Sequence, residues 1–135
     1  MSSEESSLLI QEYYKNNQYN SIPTSFTITT TQGNSLCGDT ITIYLTIKEN
    51  TIIQYNYSWE PAQITKAAAE FLWEFIIGEK IQKILTRDAE WVRSEWFEVS
   101  HRRIRSSVSA LLAVRNAIHM LIEDGMRDEY EDLIN

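Results

Sequence analysis

The residues with the clearest chemical potential are Cys37, Gly38 and Asp39, a consecutive run at the mouth of an alternating strand; Cys37 is the only cysteine in the chain. A thiol and a carboxylate separated by one glycine suit metal or sulfur chemistry, because a thiolate is both a nucleophile and a soft metal ligand. Other donors are scarce, since the chain holds two histidines, His101 and His119. Cys37, Asp39 and His101 make one candidate metal set, although structural zinc wants four ligands, mostly Cys and His. Two copies of Cys37 and Asp39 about a two-fold axis would make a four-ligand set in a homodimer. The plainer alternative is a small buried thiol, with Gly38 serving a turn and Asp39 capping it. Nucleophilic catalysis lacks an identifiable base, because both histidines fall on a distant helix, so the chain is not expected to be an enzyme.

A second group is cationic. Arg102, Arg103 and Arg105 crowd into four positions of a chain whose formal net charge is −7. One reading is a solvated helix face paired with Glu95 and Glu98. The other is a docking patch for an acidic protein partner, because guanidinium groups grip carboxylates bidentately and one basic end on an acidic protein orients association. Trp59, where exposed, would anchor such a partner. The net charge argues against generic nucleic-acid binding.

These residues need elements to hold them. Leu8, Leu9, Glu12 and Tyr13 have helical spacing, which predicts a helix over about Glu5 to Asn16. "SFTITTT" predicts a strand in which Phe26 and Ile28 alternate with threonines, ended by a turn at Gly33-Asn34. Ile41, Ile43, Leu45 and Ile47 alternate with Thr40, Thr42, Tyr44 and Thr46 in a second strand. Glu49-Asn50 forms a tight connection to a third, with Ile53, Tyr55, Tyr57 and Trp59 on one side. After Pro61 the period lengthens: Ile64, Ala68, Phe71, Leu72, Phe75 and Ile76 form a helical stripe that stops at Gly78. Two short helical pieces follow, "EKIQKIL" and "RDAEWVRSEWF". A long helix then runs from about His101 to Asp124 with a stripe of Ile104, Val108, Leu111, Leu112, Ile118, Leu121 and Ile122, and Gly125 ends or bends it.

The fold class is therefore α+β, a two-layer sandwich of a small antiparallel three-stranded sheet with helices packed on one face. At 135 residues the chain has room for one domain, spanning 1–135 and finishing in an acidic, solvated terminal helix or tail over 126–135. No apolar run reaches the roughly 20 residues of a membrane span, the first residues are acidic where a signal peptide is basic, and a lone cysteine cannot form an internal disulfide. A cytoplasmic protein is expected, with no membrane or nucleic acid among its partners.

The order helix, three strands, helix, helix, long helix, with Cys-Gly-Asp opening the second strand, resembles the IscU/NifU N-terminal family of iron–sulfur cluster scaffolds over about Leu9 to Ile122. "AAAEFLWEFIIG" is similar to the family's Ala/Ser-rich helix and its Glu-Trp-x-x-Gly ending, with Glu74, Phe75 and Gly78 in register. Ser106, Ser107, Ala110, Ala113, Val114, Arg115, Ala117 and Ile118 resemble the run that begins with the family's third cysteine. The resemblance implies a cluster site at Cys37 and Asp39, but it places Ala62 and Ser106 where the second and third thiols belong and Arg105 where a histidine or lysine is frequent. The Tyr-x-Asn-Pro ending lacks its proline, and the segment some members offer to an Hsp70-type chaperone reads "EVSHRRIR". The resemblance thus implies a degenerate scaffold acting through protein contacts, a cysteine desulfurase among them, with Cys37 accepting sulfur or giving one ligand. No cofactor would be held firmly by a monomer, and an iron–sulfur cluster or zinc enters only where the family function is retained. A metal-free interaction module built on the same fold, using Arg102 to Arg105, and the metal-binding homodimer are the alternatives.

Overall fold

The computed structural model describes residues 3–16, 18–34, 39–58, 62–95 and 99–134. Its elements are α1 (Ser3–Lys15), β1 (Ile28–Asn34), β2 (Asp39–Lys48), β3 (Thr51–Ser58), α2 (Gln63–Ile76), α3 (Ile81–Ile84), α4 (Ala89–Glu95), α5 (Ile104–Ile122) and α6 (Tyr130–Ile134), with a 3₁₀ turn at His101–Arg103 leading into α5. The strands form one antiparallel sheet in the order β1-β2-β3. The α+β architecture expected from the alternation of periods is therefore the one observed.

Period-2 alternation does its work most cleanly in β2, where Ile41, Ile43 and Leu45 are fully buried. Glu49 and Asn50 both adopt left-handed φ, 52° and 60°, the conformation a two-residue hairpin needs for its turn to match the strand twist. The Glu49 and Asn50 carbonyls then accept bonds from Lys80 Nζ and the Ile81 amide, which pins the turn to the start of α3.

Two strand expectations need correction. β1 begins at Ile28, so Phe26 precedes it and packs edge-on against Tyr44, and the strand continues through Gly33 and Asn34, which pair with Thr40 and Asp39. In β3 the register slips between Thr46 and Ile47: Gln54 lies opposite Thr46 but Ile52 lies opposite Ile47. Ile53 is the extra residue of this bulge. Because side chains alternate, one inserted residue exchanges faces, so Ile52 joins Tyr55 and Tyr57 in the core while Ile53 is 46% exposed.

α5 is the central helix. It packs on β1, β2, α2, α4 and α6, and its buried positions run nearly continuously from Ser107 to His119. Ile122, the last residue of α5 and expected on the stripe, is exposed instead. Glu123 takes the left-handed conformation that terminates α5, and Gly125 follows it at φ 73°, so the glycine shapes the exit rather than the helix end. α2 covers the β3 side, where the buried Tyr55 hydroxyl donates to the Ala69 carbonyl at 2.8 Å. α1 lies on α2 through Ser6, Ile10 and Tyr13, which leaves Leu8 exposed against expectation.

The terminal segment is also not a solvated tail. Asp128, Tyr130 and Leu133 are buried, and α6 closes over α5 and α4. Its acidic residues face α5's cations, which explains why so charged a stretch folds back onto the core.

Candidate functional site

Of the three positions singled out for cluster chemistry, Cys37 lies outside the described residues, and so does the side chain of Asp39. The backbone of Asp39 opens β2 opposite Asn34. Thr42 pairs with Ser58, so the last residue of β3 lies beside the start of β2 at one end of the sheet. Ala62 stands at the N-cap of α2, where its carbonyl accepts the Lys66 amide at 2.9 Å and no side chain caps the helix. Ser106 occupies the first turn of α5.

An alanine methyl has no lone pair to give, and a serine hydroxyl is a hard, protonated donor in place of a soft thiolate. Among the described residues no group of three or more His, Cys, Asp and Glu side chains could hold a metal ion. His101 sits exposed in the 3₁₀ turn and shares a cavity wall with Arg102, Arg105 and Glu131.

The cationic residues divide. Arg105 binds Glu131 through Nη2 at 2.8 Å and lies 5.1 Å over the Tyr130 ring, so it fastens α6 to α5. Glu131 therefore takes the place expected for Glu95, and Glu98 lies outside the described residues. Arg102 and Arg103 are exposed and make no ion pair among the described residues. Trp59 lies outside them, while Tyr57 is a core residue.

Two polar groupings escaped the sequence. At the far end of α5, His119 Nδ1 lies 2.7 Å from Asp124 Oδ2, and His119 Nε2 lies 2.9 Å from Asp128 Oδ2. Arg115 Nε donates to the same Asp128 oxygen at 2.9 Å and its Nη1 donates to the Arg87 carbonyl at 2.6 Å. Asn116 exchanges two bonds with the Asp128 backbone. The Met126 amide first, and then His119, hold the Asp124 carboxyl below its ordinary range. The only sequence signal was a basic helix followed by Asp124 and Asp128.

The second grouping centres on Glu70 of α2, which is 1% exposed. Burial raises its carboxyl above the ordinary value, although the Tyr19 amide donates to Oε2 at 3.2 Å and Lys66 pulls the other way. The buried Tyr57 hydroxyl is the polar group that most offsets this burial, although neither it nor Oε1 makes a hydrogen bond of good geometry with a described residue. Burial and then the Glu70 carboxylate raise the Tyr57 phenol strongly. Glu70 sits within an apolar helical stripe, so nothing in its spacing distinguished it from a solvated glutamate.

The family model for the NifU-like N terminal domain matches residues 5–125. This chain belongs to that family. Solved structures agree with the fold of this NifU-like domain. A protein assigned as an iron–sulfur cluster assembly scaffold for the SUF system, from Fervidobacterium islandicum AW-1, superposes with a TM-score of 0.70 at 16% identity, over 82% of this chain and 93% of that one. The N-terminal part of a nitrogen-fixing NifU-like protein from Brucella abortus gives 0.70 at 18%, over 86% and 93%. A hypothetical protein gives 0.70 at 17%, over 87% and 98%. No curated protein matches this chain. Among the described residues no helix is long and apolar enough to cross a membrane.

Proposed function

We propose that this NifU-like protein serves iron–sulfur cluster assembly as a degenerate scaffold that works through protein contacts and is not itself an enzyme. The observation that carries the reading is a family match over residues 5–125 in a chain with a single cysteine, Cys37, whose resemblance to the family sets Ala62 and Ser106 against the other two thiols. Two of the structural neighbours, an iron–sulfur scaffold and a NifU-like protein, support it by their fold.

The cluster would be cargo here. Iron–sulfur clusters are normally held by four protein ligands. One thiol and one carboxylate per chain do not fit a complete cluster, so Cys37 would contribute one ligand or carry sulfur for others. As a sulfur acceptor, the Cys37 thiolate attacks the outer sulfur of a desulfurase persulfide. A new S–S bond forms at Cys37, the donor's S–S bond breaks, and the donor cysteine leaves as a thiolate.

Anaerobic reconstitution with ferrous iron and sulfide, and incubation with a cysteine desulfurase and cysteine, test this in wild type and Cys37→Ser. The expected result is no stoichiometric cluster on a monomer and a mass gain of one sulfur atom at Cys37, absent from the variant. A monomer holding a full cluster overturns the reading. A cluster shared by a dimer supports the two-fold arrangement of Cys37 and Asp39. A metal-free interaction module is the second reading, favoured by the surplus charge of Arg102 and Arg103, and it requires neither metal nor persulfide in either protein.

A further inference from the structure

We infer that the groove where the 3₁₀ turn and the first turn of α5 meet α6 docks a short acidic segment of another protein, one that also presents an apolar anchor residue. Two adjoining cavities, of about 340 Å³ and 200 Å³, share Ile104 and Ile134 in their walls. The larger is rimmed by His101, Arg102 and Arg105, with Glu131 beside them. The smaller continues past Val99 toward α4, where Asp88, Glu90 and Arg93 line it. The result is an apolar floor with a cationic entrance at one end and mixed charge at the other.

Charge complementarity selects the occupant. From Val99 to Ile122 the chain has no Asp or Glu, in a protein of net charge −7. The cations of this stretch are not equivalent. Arg115 is neutralised by Asp128 and Arg105 by Glu131, whereas Arg102 and Arg103 point their charge into solvent without an ion-pair partner among the described residues. The start of α5 adds its own partial positive charge, and neither the N-cap Arg103 nor an acidic first-turn residue offsets it. A carboxylate at the cationic entrance answers that surplus, and an apolar side chain answers Ile104 and Ile134. A phosphate or a nucleic-acid backbone supplies only the first. Arg105 is held in place by Glu131 and Tyr130, so the rim is partly organised before anything binds.

This deepens the protein-contact part of the proposed function and depends on it only for the existence of a partner. The test is fluorescence anisotropy with a labelled peptide of alternating glutamate and leucine, against a lysine-for-glutamate version and a polyglutamate of equal length. The wild-type protein is expected to prefer the Glu/Leu peptide by about 10-fold over both controls, with binding that weakens as salt is raised. Arg102→Glu with Arg103→Glu should lower that affinity about 10-fold with an unchanged circular dichroism spectrum, since both side chains are exposed. Amide chemical shifts should move at Ile104 and Ile134. Equal binding by wild type and the double variant overturns the proposal, as does equal binding of polyglutamate, or shifts confined to another surface. Peptide binding that is abolished by concentration-dependent self-association also overturns it and assigns the groove to a second copy. Cys37→Ser should bind the peptide as wild type does, which separates a failure here from a failure of the sulfur-carrying role.

Discussion

The two ends of α5 handle positive charge in opposite ways. At its C-terminal half, the half-buried Arg115 and the buried His119 each find a carboxylate within 3 Å. At its start, Arg102 and Arg103 stay in water and pair with nothing among the described residues. The difference follows from solvation. A charge withdrawn from water must be compensated by a partner and by hydrogen bonds, whereas an exposed one carries no such requirement. Pairing at the buried end is thus explained by the fold, whereas at the exposed end one of the two expected carboxylates, Glu98, lies outside the described residues.

The largest effect should come from breaking the buried end. Asp128→Ala leaves Arg115 and His119 without their shared carboxylate and is expected to cost about 3–5 kcal/mol in denaturant unfolding, with early hydrogen exchange over residues 124–134. A smaller effect is expected at Glu70, a buried acid whose desolvation outweighs the opposing pull of Lys66. Its folded-state pKa lies above the ordinary 4.5, so its penalty appears as pH rises past that value and the carboxyl would ionise. Glu70→Gln should match the wild-type melting temperature near pH 4 and exceed it as the pH rises from 4.5 through the folded-state value, levelling off above it; a constant difference across pH would count against the account. Asp124 has the opposite sign. Its pKa is lowered from 3.8, so its contribution is present above that value and lost as pH falls through the lower folded value. Asp124→Asn should therefore flatten the acid side of the melting profile. The smallest effect belongs to the exposed end: Arg102→Ala with Arg103→Ala should alter stability by no more than about 0.5 kcal/mol, and a loss comparable to that of Asp128 would show that the two ends are not different in kind.

Much of the fold was readable because burial imposes periodicity. Ile41, Ile43 and Leu45 announced β2, and Ile64, Ala68, Phe71, Leu72 and Ile76 announced α2, because one face of each meets the core. Ile53 was misplaced because a bulge depends on how two strands settle against each other, which one strand's alternation does not encode. The acidic end after Gly125 read as solvated for a similar reason: the cations that draw it in lie on α5, elsewhere in sequence. Of the candidate site, the scarcity of thiols was legible in the sequence, which holds one cysteine, while the pairing of Arg105 with Glu131 was not.

The sequence by itself determined the donor inventory, the alternation of periods and the family, since atom types and apolar spacing are local properties of the chain. Only the tertiary structure decided which charges are spent inside the molecule. Arg105, Arg115 and His119 meet carboxylates 26, 13, and 5 or 9 positions away, across the contact between α5 and the segment that follows it. That pairing depends on distance in space and, for Arg115, His119 and Asp128 but not for the exposed Arg105 and Glu131, on exclusion of water, and both exist only once the helices have packed.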